Sequence, residues 1–440
     1  MNKDITRRIM ASALSLVVLA EPLFLAGCKK KNTGNAQAAD YGSYGADIAR
    51  EIASEFPIRS AYTPGEDKTG DYIEEKIREL GYVPEVQNFQ GPDGAYSTNY
   101  IVRFEGTGFY CLQNDGTYEL EHRTAIIGTH YDAALLPEYI EEEDEEEDED
   151  EDDEEDAEPT EMPKYIFDGI SDNASGTACI LTALRAFKDY PNVSFDVWFV
   201  FFGAGTDNFS GAEAFYQSLS YEEKNSIDVM YDVDSLYAGD KVYASSGFKS
   251  LISSRRYEMR RKLYQAYDVC FGNPLYTNYG FDLVYNESGV KKDVNDDGIT
   301  DIFNELPKTI SDYKVFDDRM IPVVYFESYD YNYTSIDQMK DTKNLSLQDY
   351  GGVIRRTPAD CSYYLDSVLL EKDYDRNGDG EIDCSGDRLQ IRINCVAFII
   401  VESLLKGSDK GMTPSEYEAF KIESTRQTFG TESTAAASGT

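Results

Sequence analysis

Histidine is nearly absent from this chain of 440 residues: His122 and His130 are the only two. A site that needs a further imidazole has no distant residue to draw it from. Positive charge is also in deficit, with 41 Lys and Arg against 82 Asp and Glu and a net charge of −41. So acidic a chain argues against nucleic-acid binding, which needs basic surface to meet phosphate. None of the seven cysteines shows CxxC spacing, so a cysteine-ligated zinc site is not expected. The apolar run from Ile9 to Ala26 is too short and too interrupted to be read as a membrane span. No internal repeat is visible.

That run reads instead as part of an address label. Lys3, Arg7 and Arg8 precede it, and "LAGC" at Leu25 to Cys28 is a lipobox, the signature of a bacterial lipoprotein. A plain secretory signal with a chance cysteine is the alternative. On the lipobox reading, residues 1–27 are a lipoprotein signal peptide and Cys28 carries the lipid. Residues 28–45 are then the lipidated cysteine and a polar tether, with Lys29 to Lys31 suited to anionic headgroups. The expected location is extracytoplasmic, anchored to the bacterial cell membrane. Residues 46–408 are expected to form one domain, and 409–440 a C-terminal segment with a disordered tail.

Three insertions interrupt the domain. The first, 135–163, holds sixteen consecutive acids, Glu141 to Asp156, which repel one another and have nothing to bury. It reads as a disordered surface loop, with loose cation attraction as the functional alternative. The other two, 285–306 and 371–388, repeat the pattern D-x-N-x-D-G-x-x-D. Asp293, Asn295, Asp297 and Asp301 carry it in one, Asp375, Asn377, Asp379 and Asp383 in the other. Oxygen side chains at alternate positions around a turn glycine wrap a hard cation such as calcium. The twelfth positions are Asn304 and Gly386 rather than a bidentate Glu, so weak structural calcium clips are expected. A plain Asp/Asn/Gly-rich turn is the alternative.

Along the body, apolar residues fall at helical spacing over Ala46–Phe56 and Thr69–Leu80. Strands are expected at Gly81–Phe89 (after a turn), Thr98–Phe104, Thr124–Ala133, Phe195–Phe202, Asp228–Val233 and Met320–Ser328. Helices are expected at Asp172–Phe187, Gly211–Leu219 and Cys395–Leu405. Cys179, on an apolar helix face, is expected to be a buried free thiol. Strands alternating with helices give an α/β class with a mixed, mostly parallel central sheet and helices on both faces.

In such sheets chemistry sits where strands reach the rim. "THYD" puts His130 at a strand end, with Asp132 two residues on. "DGISDNASG" puts Asp172 on a glycine-flanked turn entering a helix, and "YDVDSLYAGD" puts Asp234 at another strand end. One imidazole and two carboxylates suit a divalent metal such as zinc. Strand-end aspartates also serve as plain turn and cap residues, so spacing alone leaves both readings open.

From about Ala46 to Leu405 the chain resembles peptidase family M28, the co-catalytic zinc aminopeptidases related to aminopeptidase Y. The resemblance rests on "LGY" at Leu80, "HYD" at His130, "DNASG" at Asp172, the strand ending near Gly205, Asp234, and "SDYKVF…IPVVYF" from Ser311 to Phe326. It implies a zinc aminopeptidase fold of phosphorylase/hydrolase type and peptide N-termini as ligands. It also implies that one metal takes His130, Asp172 and Asp234, with Asp132 behind His130 fixing its tautomer.

The same resemblance implies losses. Where the family has two consecutive glutamates, the general base and a ligand of the second metal, this chain has Gly205 and Thr206. Where it has a late histidine, this chain reads "YTSID", with Tyr333 in that place. The retained residues all serve one metal and the lost ones serve the other or the base. A surface protein with lost or strongly impaired peptidase activity and at most one zinc is therefore expected, a peptide-binding or scaffold module without catalysis. The alternative is a hydrolase with a rebuilt one-metal site, drawing on Asp207, Asp232 or Glu213. Glutaminyl-cyclase chemistry would need the missing Glu and late His.

Overall fold

The computed structural model describes residues 37–136, 165–190, 192–252, 256–284, 290–292, 298, 301–303, 309–331, 339–369, 386–408 and 410–424. Residues from Gln37 onward belong to one compact unit. Eight strands form its main sheet: Glu85–Gln90 (β1), Tyr96–Phe104 (β2), Thr124–His130 (β3), Asp196–Phe202 (β4), Ile227–Val233 (β5), Lys241–Ser245 (β6), Leu283–Val284 (β7) and Val323–Tyr329 (β8). Their order across the sheet is β1-β2-β4-β3-β5-β8-β6-β7. The four central strands, β4, β3, β5 and β8, are mutually parallel, and antiparallel pairings join β1 to β2, β2 to β4 and β8 to β6. The mixed, mostly parallel sheet is thus as expected.

β4 shows why the centre is so apolar. Val197, Phe199 and Phe201 face one hydrophobic cluster, while Trp198, Val200 and Phe202 face the other. A strand covered on both faces must be apolar at every position, because its side chains alternate between them. Each of these large side chains contributes about 1.5–3 kcal/mol through burial.

Helices Tyr44–Glu55 (α1), Pro64–Glu79 (α2), Ser175–Phe187 (α3), Ser210–Ser218 (α4), Arg256–Gly272 (α5), Tyr313–Asp317 (α6) and Arg388–Leu405 (α7) cover the sheet. Residues of α1, α2, α3, α5 and α7 line the first cluster, and those of α4 and α6 the second. At Gly45 on α1 an added Cβ would lie 2.4 Å from Ile393 of α7 and 2.5 Å from Thr182 of α3, so these three helices pack too closely for a side chain there.

Several boundaries differ from expectation. Part of the expected tether is structural: Ala38 and Tyr41, in a short 3-10 helix, are buried in the first cluster. α2 begins at Pro64, whose fixed φ suits a first turn, after the cap Thr63. β3 ends at His130 rather than Ala133: the Tyr131 N–H still reaches the Phe202 carbonyl at 3.1 Å, but the Ala133 N–H turns to the Arg59 carbonyl at 3.1 Å. Of the C-terminal segment, residues 414–424 are helical, and Tyr417 stacks on Tyr110. Cys111, Cys179, Cys270, Cys361 and Cys395 are all buried, and none of them is in a disulfide. No helix among the described residues is long and apolar enough to cross a membrane. Cys28, the acidic run and the calcium-type positions Asp293, Asn295, Asp297, Asp375, Asn377, Asp379 and Asp383 lie outside the described residues. Asp301 opens a short strand, Asp301–Phe303, paired with Val290–Lys292.

Candidate metal centre

Strand register assembles the centre. β3 pairs with β5 so that Gly128 faces Asp232; two residues further on come His130, the last residue of β3, and Asp234, just past the end of β5. β4 pairs His130 with Phe202 on the other side, which brings the chain after Phe202 to the same rim. Asp172 arrives from the irregular turn before α3, with non-helical backbone at φ −110° and ψ 95°.

His130 Nε2 lies 3.4 Å from Asp172 Oδ1 and 3.5 Å from Asp234 Oδ2. One atom from each of the three residues fits within a 4.8 Å cluster, and all three side chains are buried. The other ring nitrogen, Nδ1, sits 3.2 Å from Asp132 Oδ1 and 3.1 Å from its carbonyl. If Nδ1 carries the proton, Nε2 presents a lone pair to the cluster, as an imidazole ligand requires. Asp172 Oδ1 is buried with no hydrogen-bond partner among the described residues. A buried carboxylate oxygen without a donor is costly, and a divalent cation would satisfy it. The residues present therefore fit one such metal.

The charges of the centre act strongly on one another. Burial opposes ionisation of Asp132, yet hydrogen bonds with His130 and Thr206 hold its carboxyl below the usual range. Burial likewise opposes charge on Asp234, and Arg355 and His130 outweigh it. Burial also works against a charged His130, but the carboxylates of Asp132 and Asp234 raise its pKa well above the ordinary imidazole value. Asp232 is pushed up to about 7 by burial and by the charge of Asp234. Asp312 is driven well up by burial, against the opposing pull of His130.

Of the expected degenerate positions, Thr206 is engaged by Asp132, as is the backbone of Gly205 beside it. Asp132 Oδ1 accepts the Gly205 N–H at 2.8 Å, and Oδ2 accepts the Thr206 N–H at 2.9 Å and the Thr206 hydroxyl. At Gly205 an added Cβ would lie 2.2 Å from His130 Cβ, so no side chain fits with the backbone where it is. Tyr333 lies outside the described residues. Asp207 accepts from Tyr62 and Ser210, Glu213 pairs with Arg319, and Asp232 Oδ2 accepts the Tyr313 N–H. None of the three belongs to the cluster. His122 is exposed and pairs with Asp196 at 3.0 Å.

Motif reading missed the residues that hold the turn of Asp172. Arg59 is fully buried and donates to the carbonyls of Tyr131, Asp168 and Gly169 at 3.0, 2.6 and 2.7 Å. Asp360 accepts the N–H groups of Ser171 and Asp172, while Asp341 accepts those of Ile354 and Arg355. The segment from Asp341 to Asp360 is thereby pinned beside the centre, and it carries Arg355 and Arg356.

The sequence profile of peptidase family M28 matches residues 114–357, more than half of the chain. The chain belongs to that family. It is 24% identical over 229 residues to the alkaline phosphatase isozyme conversion protein of Escherichia coli K12, covering 52% of this chain and 61% of that relative's length. Among solved structures, a glutaminyl cyclase of an Acidobacteriales bacterium superposes with a TM-score of 0.50 at 16% identity, covering 86% of this chain and all of that one. The zinc aminopeptidase BSAP of Bacillus subtilis gives a TM-score of 0.48 at 12% identity, over 84% of this chain and 98% of its own. The fold is that of the zinc-dependent M28 peptidases, and the His130, Asp172 and Asp234 cluster is a possible metal site within it.

Proposed function

We propose that this chain is a peptide-binding M28 protein with a single zinc position at His130, Asp172 and Asp234, and that ordinary peptidase turnover is lost or strongly impaired. One observation carries this: the three ligand atoms converge within 4.8 Å, while the neighbouring rim position is Gly205, where a Cβ would strike His130 at 2.2 Å. A zinc ion bound there would supply a Lewis acid and a means of generating hydroxide. Asp132 fixes the ring of His130, and Asp360 fixes the backbone of Asp172. No carboxylate stands at Gly205 to move a proton to a leaving amine, help that is worth about 10²–10⁴-fold. Asp207 and Glu213, the residues a rebuilt site might recruit, are committed elsewhere.

The lipobox at Cys28 supports an extracytoplasmic protein held to the cell membrane by a lipid anchor, and the two D-x-N-x-D-G repeats support weak structural calcium binding. Mass spectrometry of the mature N-terminus tests the first, and calcium titration of Asp297→Asn and Asp379→Asn variants tests the second. The central test is zinc titration of the metal-depleted protein alongside an aminoacyl-anilide assay. One zinc per chain, lost in His130→Ala, with negligible cleavage is expected. Two tight zincs, or robust turnover abolished by His130→Ala, would overturn it.

A further inference from the structure

Two arginines of this chain face the two carboxylates of the centre, and they are committed to very different degrees. Arg355 is buried: Nη2 donates to the Asp234 carbonyl at 2.9 Å and Nη1 to Thr309 Oγ1 at 3.0 Å, and Nη1 lies 3.4 Å from Asp234 Oδ1. Its main-chain N–H is held by Asp341 at 3.0 Å. Arg355 is thus a fixed counter-charge.

Arg356 is not. Its backbone is left-handed at φ 58°, a conformation that side-chain-bearing residues adopt seldom, and its side chain is 52% exposed. Its one ion pair among the described residues runs from Nε to Asp172 Oδ2 at 3.5 Å. Neither Nη nitrogen has a hydrogen-bond partner among those residues. A half-exposed single contact of that length is a weak tie. Occupation of the metal position would also draw on the charge of Asp172, weakening the tie further.

A guanidinium presents planar, paired N–H donors that match the two oxygens of a carboxylate. It repels an ammonium group at the same place by simple charge. We infer that Arg356 sets the polarity of the ligand, so that a peptide end bearing a free terminal carboxylate is taken beside the metal position and a free N-terminal amine is disfavoured there. This rests on the reading of the centre as a one-metal peptide site, and it reverses the ligand end that the family resemblance alone implies.

The test is calorimetric binding to the zinc-loaded full chain. The probes are N-acetyl-dialanine, its C-terminal amide, dialanine amide with a free amine, and N-acetyl-glutamic acid α-amide, whose only carboxylate is on the side chain. N-acetyl-dialanine is expected to bind at least tenfold more tightly than the other three. Arg356→Gln should abolish that advantage, and Arg356→Lys should keep part of it, since a point charge remains. Equal binding of acid and amide, a preference for the free amine, a preference for the side-chain carboxylate, a discrimination that survives in Arg356→Gln, or no binding of any probe would each overturn the inference. Zinc content measured on the same samples separates the two readings. A wild-type chain that takes up no zinc sinks the metal reading and with it the position assigned to the ligand. One zinc per chain with equal binding of acid and amide sinks this inference alone.

Discussion

Asp360 holds Asp172 through the main chain: its Oδ2 accepts the Asp172 N–H at 2.9 Å, and its Oδ1 accepts the neighbouring Ser171 N–H at 2.8 Å. A residue 188 positions away in the chain therefore decides where the metal-facing carboxylate points. Asp360→Asn offers one acceptor where two are used and turns an amide N–H toward another N–H. Zinc affinity should fall about 10–100-fold, as for other partners that orient metal ligands. Isothermal titration checks this, and an unchanged affinity would show that the turn is held by other means.

The packing at Gly205 makes a second prediction. Gly205→Ala places a methyl group 2.2 Å from His130 Cβ and 3.2 Å from Asp132 Oδ1. Overpacking of this kind costs about 1–3 kcal/mol, and the shift should also weaken zinc binding. Replacing Gly205, Thr206 and Tyr333 together by Glu, Glu and His is accordingly expected to give no peptidase activity, because the first change displaces His130 before the others can act. Denaturant midpoints and an anilide assay test both points, and a Gly205→Ala chain as stable as wild type would contradict the geometry.

Glu66 gives a pH dependence. Burial, then the charge of Asp132, pushes its carboxyl up to about 8, while its oxygens accept from the N–H groups of Tyr62 and Ala204 and from Ser97. A carboxyl raised in the folded state favours folding while it stays protonated. Its contribution is full below 4.5 and is lost as pH climbs through about 8. Relative to Glu66→Gln, the wild type should lose stability over that window, on the order of 5 kcal/mol in all. Parallel stability curves for the two proteins would refute the assignment.

Arg59 should be among the least replaceable residues. Its guanidinium joins three carbonyls, at Tyr131, Asp168 and Gly169, across the turn that leads to Asp172. Arg59→Met leaves the buried Tyr131 and Asp168 carbonyls without this donor, while Gly169 keeps the Ala174 N–H, at a cost of at least about 2 kcal/mol. Thermal unfolding and zinc titration should both register the change. A normal zinc affinity in a destabilised chain would confine Arg59 to the fold.

The central strands and the positions of His130, Asp132, Asp172 and Asp234 were legible because their physics is local. β4 is apolar at consecutive positions because both faces are covered, and His130, Asp172 and Asp234 stand where such strands and turns end. Less was legible where charge masks the period. α5 reads as "RYEMRRKLYQAYDVCFG", yet Met259, Leu263, Ala266, Tyr267 and Cys270 are buried at helical spacing among four basic residues. Arg355 and Arg356 carry no motif at all. Their role comes from contacts with residues more than a hundred positions away, such as Asp234 and Asp172, which no local pattern announces.

The shared heading of β3, β4 and β5 has a consequence for how this centre could be lost. Each strand is seven residues long, and all three deliver their final residues to one side of the sheet. At about 3.3 Å per residue, reversing any one of them would carry its contribution roughly 20 Å to the far margin. Single substitutions can erode the pocket one ligand at a time, but only a change of strand orientation could dismantle it in one stroke.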